Sequence, residues 1–157
     1  ILFNMKRSKN LQVKDYLFLS LQFLLFIAYF IPVDLLSLSI KLPDWLRIII
    51  LAPGIFGIGL ALFTLFQLRN IMSVFPTPVD GGKLIASGAF SISRHPIYTA
   101  IILSAFSFGI FFESAFRLII TLLLFILFYF KSNYEEQLLL LKYPEYSNYK
   151  KTTRKFL

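Results

Sequence analysis

Four long apolar stretches alternate with shorter polar segments along this chain. They cover residues 16–33, 48–68, 96–112 and 114–130. Each has the length or near-length of a helix that crosses about 30 Å of hydrocarbon at about 1.5 Å per residue. Arg117 is the only charged residue within them, and it lies close enough to the end of its stretch to reach the headgroup layer. The pattern predicts an all-α membrane protein, a bundle of about four transmembrane helices in a single domain over residues 1–157.

Composition agrees with a membrane protein and excludes several kinds of site. Hydrophobic residues make up 57% of the 157 residues and charged residues only 15%, which is too apolar for a soluble domain of this size. The first stretch is longer than the apolar core of a usual signal peptide, and no small-residue cleavage site follows it, so we expect it to remain as a span. With no cysteine and one histidine, the chain offers no disulfide, no thiolate nucleophile and no multi-histidine site, so we predict no metal.

The basic residues indicate a membrane topology and no nucleic-acid partner. The net charge is +8, but the 16 Lys and Arg residues follow the boundaries of the apolar stretches and form no separate basic domain. With four spans and a cytoplasmic N-terminus, 13 of these 16 lie in cytoplasmic segments, and only Lys41, Arg47 and Arg117 lie outside. This asymmetry predicts a multi-pass integral membrane protein with both termini in the cytoplasm.

A glycine-rich segment inside the second stretch favours helix packing. Residues 53–59 read Pro-Gly-Ile-Phe-Gly-Ile-Gly, but no strand precedes them, as a dinucleotide-binding fingerprint requires. Pro53 is expected to kink the entry to this helix. Gly57 and Ala61 are small residues four apart, so they predict the close approach of a neighbouring helix.

Two polar segments extend the bundle on the predicted cytoplasmic side. Residues 73–85 contain two prolines and two glycines and are long for a connector, so we interpret them as a functional loop. After residue 130 the helical pattern continues to residue 141, and no breaker occurs before Pro144. The last helix is therefore predicted to project into the cytoplasm, followed by an amphipathic segment at residues 145–155.

Two polar motifs lie beside the apolar stretches, where polar groups need a reason to be present. The first is Arg94-His95-Pro96-Ile97-Tyr98, and the second is the later acidic pair Glu135-Glu136. Alone, the first motif has a structural interpretation as an interfacial anchor, a helix start and part of an aromatic belt. Alone, the acidic pair is as consistent with a solvated helix face as with a functional site. Their occurrence together favours a functional site.

With their neighbours, the two motifs resemble the isoprenylcysteine carboxyl methyltransferase family, small integral membrane enzymes that use S-adenosylmethionine. The likeness runs from about residue 75 to the C-terminus. It includes the segment 84–90, Leu-Ile-Ala-Ser-Gly-Ala-Phe, and the later Tyr143-Pro144-Glu145-Tyr146. The end of the chain departs from the pattern, because it lacks the proline that family members often carry there. The basic residue expected near that end falls on Arg154 or Lys155.

The resemblance implies roles for individual residues. Arg94, His95 and Glu135 would be catalytic, and Lys131 and Arg154 would meet the acceptor, although extension to the membrane boundary explains Lys131 equally well. Glu135 is the first choice for contact with the methyl donor, because a carboxylate accepts strong charge-assisted hydrogen bonds. The residues that would line the S-adenosylmethionine pocket are Lys83, Leu84, Ile85, Gly88, Phe90, His95, Pro96, Ile97, Tyr98, Glu135 and Glu136.

The expected reaction is methyl transfer to a lipophilic acceptor that enters between the helices from among the membrane lipids. By the resemblance, an isoprenylcysteine-type carboxylate is the first choice, and an isoprenoid, a lipid headgroup or a small carboxylic acid remains open. A carboxylate is ionised at neutral pH and needs no general base. An amine acceptor would need His95, Glu135 or Glu136 to take a proton. Phospholipid N-methyltransferases share related acidic and glycine features, but the glycines expected there are not clear in this chain.

Two other classes remain open at this point. Membrane sterol reductases resemble the same C-terminal architecture and bind NADPH, although they are much longer, and this chain has few basic residues placed for a 2′-phosphate. A non-catalytic scaffold would use the loop and the acidic pair only to organise the cytoplasmic surface. Stabilisation by S-adenosyl compounds, by NADPH or by neither distinguishes the three classes.

Overall fold

The structure is a computed structural model that describes residues 12–32, 42–69 and 84–157. Within these residues every regular element is a helix, which confirms the predicted all-α fold. The helices are α1 (Val13–Phe30), α2 (Asp44–Leu68), α3 (Ala89–Ile92), α4 (Pro96–Phe111), α5 (Ala115–Lys142) and α6 (Tyr146–Thr152). The predicted functional loop at residues 73–85 lies outside the described residues except for its last two.

Three of the helices, α1, α2 and α5, are long and apolar enough to cross a membrane. The 16-residue α4 is a shorter apolar helix, so its role as a fourth span stays a prediction. Helices α1 and α2 begin earlier than predicted, because their first turns are polar and carry no hydropathy signal. Asp15 Oδ2 accepts a hydrogen bond from the Gln12 N–H at 2.8 Å, and Asp44 lies in the first turn of α2, where a negative charge is favourable.

Helix α5 continues without a break past its apolar half, as predicted. It ends at Lys142, where the Tyr143 N–H bonds to the Leu139 carbonyl at 2.8 Å and Pro144 follows. The second half of α5 carries the acidic pair. Helix α5 therefore extends the bundle beyond its most apolar part and places both acidic residues there.

Glycines of α2 lie where it packs against α4. A Cβ at Gly57 would lie 2.8 Å from the Ala100 carbonyl oxygen and 2.5 Å from Ser104 Oγ. A Cβ at Gly54 would lie 2.8 Å from Ser107 Oγ. The prediction that this glycine-rich segment serves helix packing is therefore confirmed.

Serine hydroxyls of α4 also bind the backbone of α2. The Gly54 N–H donates to Ser107 Oγ at 3.1 Å, and Ser107 Oγ donates to the Ile50 carbonyl. Ser104 Oγ donates to the Gly54 carbonyl at 3.1 Å. The Ser107 hydroxyl thus stands between a helical N–H and the carbonyl four residues earlier in α2. Pro53 lies beside it, and its missing N–H already interrupts the backbone hydrogen bonds of the helix.

Gly57→Ala is expected to destabilise the bundle by about 1–3 kcal/mol, because the new methyl group meets a backbone carbonyl of the packed α4. Gly59→Ala is the matched control, since a Cβ there has no neighbour within 4 Å and alanine favours a helix. Thermal unfolding in detergent is expected to show a lower midpoint for Gly57→Ala alone. Equal midpoints for the two variants would contradict the close α2–α4 packing.

Helix α5 packs against both α1 and α4 around a shared apolar core. Its buried members are Leu25, Tyr29, Ala105, Ile120, Leu124, Leu127 and Phe128. The Tyr29 hydroxyl donates to the Ala105 carbonyl at 2.7 Å and so links α1 to α4. Hydrogen bonds from Tyr134 to Gln12 and from Tyr98 to Glu135 join α5 to the beginnings of α1 and α4. Both sequence motifs therefore lie at the same end of the bundle.

Candidate functional site

The end of α2 holds the turn that precedes the first motif. Gln67 Nε2 donates to the Ser87 carbonyl at 2.7 Å, and Gln67 Oε1 accepts the Ala89 N–H at 3.1 Å. Gly88 lies between them with a φ of +62°, and a Cβ there would lie 2.6 Å from Gln67 Oε1. Glycine suits this position because it adopts a positive φ without strain and leaves room for the amide.

Tyr98 stands in a stack of rings at the beginning of α4. Pro96 is the first residue of that helix, where a missing N–H costs nothing. The Tyr98 ring centroid lies 5.4 Å from that of His95 and 4.4 Å from that of Phe128, in nearly parallel planes. The Tyr98 hydroxyl donates to Glu135 Oε1 at 2.5 Å. These contacts join the first motif to α5.

His95 contacts both carboxylates of the second motif. Its Nδ1 lies 3.5 Å from Glu135 Oε2, and its Nε2 lies 3.2 Å from Glu136 Oε1. The His95 side chain is buried. Two motifs that are far apart in sequence therefore form one polar cluster.

Glu136 is enclosed by basic side chains. Its Oε1 lies 3.0 Å from Arg94 Nη2 and 3.8 Å from Lys155 Nζ, and its Oε2 lies 3.0 Å from Lys150 Nζ. Arg94 Nε also donates to Oε1 at 3.0 Å. The Glu136 side chain is 2% exposed. Its negative charge is therefore balanced by charges of the protein itself, and removing it would leave Arg94 buried without its partner.

Glu135 has different surroundings, although it is the adjacent residue. Its carboxylate contacts the Tyr98 hydroxyl and the His95 ring, and its side chain is 15% exposed. Among the residues that the structure describes, no Lys or Arg nitrogen lies within 4.0 Å of its oxygens. Glu135 is thus the carboxylate of the pair that keeps accessible surface and is not neutralised by a lysine or arginine.

The C-terminal residues close over the first motif through their main chain. The N–H groups of Arg94 and His95 donate to the carbonyls of Arg154 at 2.8 Å and Lys155 at 3.2 Å. Ser93 Oγ donates to the Lys155 carbonyl at 2.9 Å. Lys155 also directs its side chain to the cluster, whereas Arg154 is exposed. A role for the Arg154 side chain in acceptor binding stays a prediction.

Helix α6 supports the cluster from the side of the tail. Arg94 Nη1 donates to the Lys150 carbonyl at 3.0 Å, and the Tyr149 hydroxyl donates to the Phe90 carbonyl at 2.5 Å. Burial raises the pKa of Tyr149 to about 12, while the charge of Arg94 opposes this shift and that of Glu136 adds to it. The hydroxyl therefore keeps its proton at neutral pH and remains a donor to the segment before the first motif.

Lys131 lies one turn before Glu135, and its side chain points toward α1. Its Nζ donates to Gln22 Oε1 at 2.7 Å and lies 5.3 Å from the centroid of the Tyr98 ring. Lys131 is 2% exposed, so its ammonium is held inside the bundle and does not extend to the surface. Its predicted contact with an acceptor stays a prediction.

The predicted site residues fall into two groups in the structure. Those brought together in the cluster are Arg94, His95, Tyr98, Glu135 and Glu136. Those in the adjoining segments are Leu84, Ile85, Gly88, Phe90, Pro96 and Ile97. Lys83 lies outside the described residues. A donor pocket formed by these residues stays a prediction.

Sequence reasoning missed three residues that hold the site, namely Gln22, Gln67 and Lys150. Gln22 and Gln67 are amides inside apolar stretches, and a polar side chain in such a stretch is itself a signal of contact between helices. Lys150 belongs to a basic run whose members look alike in sequence, so no local pattern distinguishes it. The site therefore depends on α1, α2 and α6 as well as on the two motifs.

The cluster is suited to binding a cation and to holding small groups in fixed positions. It offers one accessible carboxylate, held by a hydroxyl and an imidazole, and a rigid support of ion pairs. In residues 12–32, 42–69 and 84–157, no three His, Asp or Glu side chains come together as a metal site.

Comparison with known protein families gives a match to one described as phospholipid methyltransferase, over residues 48–146. A search of curated proteins found no match. The matched part contains α3, α4 and α5 in full and most of α2, with both motifs, whereas α1 lies outside it. The matched family is that of the integral membrane methyltransferases similar to isoprenylcysteine carboxyl methyltransferase, so the resemblance seen in the sequence is confirmed. This chain therefore belongs to the phospholipid methyltransferase family of integral membrane methyltransferases.

Proposed function

We propose that this protein transfers a methyl group from S-adenosylmethionine to a lipophilic acceptor at the cytoplasmic face of the membrane. The observation that carries the proposal is the difference between two adjacent carboxylates where the motifs meet. Glu136 is neutralised by basic side chains, whereas Glu135 keeps accessible surface beside a hydroxyl and an imidazole. Membership of a methyltransferase family supports the reaction class.

A cationic methyl donor fits the surroundings of Glu135. S-adenosylmethionine carries a sulfonium and an ammonium group, and a partly buried carboxylate attracts such charges strongly. The Tyr98 hydroxyl and the His95 ring beside it hold this carboxylate in place. NADPH carries phosphates, which the same carboxylate would repel. Glu135 is therefore our choice for the donor contact.

Other parts of the chain would hold and orient the donor. The family resemblance assigns Leu84, Ile85 and Phe90 to its pocket, and Gln67 fixes the turn at Gly88 between them. The bound donor supplies an electrophilic methyl group on sulfur. The protein's own contribution is to hold the two reactants close together and to exclude water, which lowers the barrier without any nucleophilic side chain.

An isoprenylcysteine-type carboxylate is the acceptor class that the site chemistry favours. Methyl transfer to a carboxylate needs no removal of a proton, whereas transfer to an amine does. Glu136 contacts basic side chains, and in this proposal Glu135 contacts the methyl donor, so neither carboxylate is left to take a proton from the acceptor. His95 faces a carboxylate with each ring nitrogen. An amine headgroup is the second candidate, since the description of the matched family names phospholipids.

A methyl-transfer assay distinguishes these acceptors. Membranes that contain the protein are incubated with S-adenosylmethionine labelled on its methyl group and either N-acetyl-farnesylcysteine or phosphatidylethanolamine vesicles. We expect label to enter the organic extract with farnesylcysteine and to be released as volatile methanol by mild base, as a methyl ester requires. Base-stable label with phosphatidylethanolamine would instead assign N-methylation. Absence of label with both acceptors and with the native lipids would contradict methyl transfer to a lipophilic acceptor.

A further inference from the structure

Helix α1 takes part in the site although the family match begins after it. Gln22 lies near the middle of this apolar helix, and its amide oxygen accepts a hydrogen bond from Lys131 Nζ at 2.7 Å. Lys131 is 2% exposed, so this amide serves an ammonium group that is buried inside the bundle. A buried ammonium needs such a partner, because leaving it without one is costly.

The position of Lys131 in the sequence predicts an ion pair with Glu135, but its hydrogen-bond partner is Gln22. Lys131 and Glu135 are four residues apart on α5, a spacing at which opposite charges usually attract each other on a helix face. In the described residues, however, no Lys131 nitrogen lies within 4.0 Å of a Glu135 oxygen. The ammonium instead lies against Gln22 and above the Tyr98 ring, and the charges of Glu135 and of Asp15 on α1 also act on it.

We infer that Gln22 is a positioning residue that holds the Lys131 ammonium away from Glu135. The inference rests on the proposed function, in which Glu135 contacts a cationic methyl donor. An ion pair between Lys131 and Glu135 would compete with that donor for the same carboxylate. Gln22 satisfies Lys131 without adding charge, so the carboxylate stays available.

A purely structural role for Gln22 makes a different prediction. If Gln22 only joined α1 to α5, its loss would weaken the bundle, and removing Lys131 as well would restore no function. If Gln22 restrains Lys131, removing the ammonium as well restores the donor binding that the loss of Gln22 weakened. The double variant therefore distinguishes the two roles.

The first test is calorimetric titration with S-adenosylhomocysteine of the detergent-purified full chain and three variants: Gln22→Leu, Lys131→Met and the two combined. We expect Gln22→Leu to weaken binding about tenfold, the size of coupling found between residues in contact. Lys131→Met alone and the double variant should bind within about threefold of the unsubstituted protein. Unchanged affinity of Gln22→Leu, or a double variant as weak as Gln22→Leu, would overturn the inference.

A second test does not depend on donor binding. Lys131→Met and Glu135→Gln are combined, and the shifts in the unfolding midpoint are compared with and without Gln22→Leu. We expect the coupling between the two shifts to be small in the presence of Gln22 and larger in its absence, because the two charges then come into direct contact. Equal coupling in both backgrounds would overturn the inference, whereas a folded chain that binds no S-adenosylhomocysteine would count against the proposed function alone.

Discussion

Replacing Glu136 by alanine is expected to lower the free energy of unfolding by about 3–5 kcal/mol, the range found when one partner of a buried ion pair is removed. The carboxylate is 2% exposed and faces Arg94, Lys150 and Lys155. Without it, several positive charges would lie close together with no negative charge among them. The C-terminal tail, which is bound to the same cluster, is expected to detach first. Thermal unfolding in detergent, with proteolysis of the tail as a second readout, measures both effects.

Glu145→Ala is the matched control for Glu136→Ala. Glu145 is also a glutamate in the C-terminal part of the chain, but it is exposed at the start of α6. Its replacement is expected to change the unfolding midpoint little, as is usual for an exposed site. If Glu136→Ala were as stable as Glu145→Ala and its tail as resistant to protease, the carboxylate would not be holding Arg94 and the tail together.

Replacing Glu135 by glutamine is expected to weaken binding of S-adenosylhomocysteine by about 10- to 100-fold, the loss typical of a hydrogen bond to a charged group. The substitution keeps the size of the side chain and removes its charge. Glutamine still offers an oxygen to the Tyr98 hydroxyl, so the fold should be retained. Calorimetric titration measures the affinity, and the unfolding midpoint verifies that the variant is folded.

Glu145→Gln is the control for Glu135→Gln, because it removes the same charge from an exposed position. Its affinity is expected to match that of the unsubstituted protein. A similar small loss in both variants would mean that only the overall charge matters. Unchanged binding by Glu135→Gln would assign the donor contact to another residue.

The fold could be predicted largely from hydropathy, and the failures have physical causes. The apolar stretches located α1, α2, α4 and α5, and the absence of a breaker before Pro144 predicted the extension of α5. The polar first turns of α1 and α2 were missed, because Asp15 and Asp44 stabilise helix starts through hydrogen bonding and charge, which hydropathy does not measure.

The chemistry of the site could be predicted only in part. The motifs identified His95, Glu135 and Glu136 as site residues. They did not show which of the two carboxylates would be paired with basic side chains. Adjacent residues on an α-helix point about 100° apart, so Glu136 meets the tail while Glu135 meets Tyr98.

Contacts between segments far apart in the chain could not be predicted from the sequence. Lys131 and Gln22 are 109 residues apart, and their hydrogen bond depends on how α1 packs against α5. Lys150 reaches Glu136 only because the chain turns back after α5. Neither pairing has a local sequence signature. Such partners become visible only when the packing of the helices is known.

Binding of an S-adenosyl compound by the cluster around Glu135 can be tested by calorimetric titration of the purified, folded protein with S-adenosylhomocysteine, with NADPH titrated in parallel. We expect saturable binding of S-adenosylhomocysteine at one site per chain and no binding of NADPH. Saturable binding of NADPH, or no binding of S-adenosylhomocysteine to a protein with a cooperative unfolding transition, would contradict this expectation.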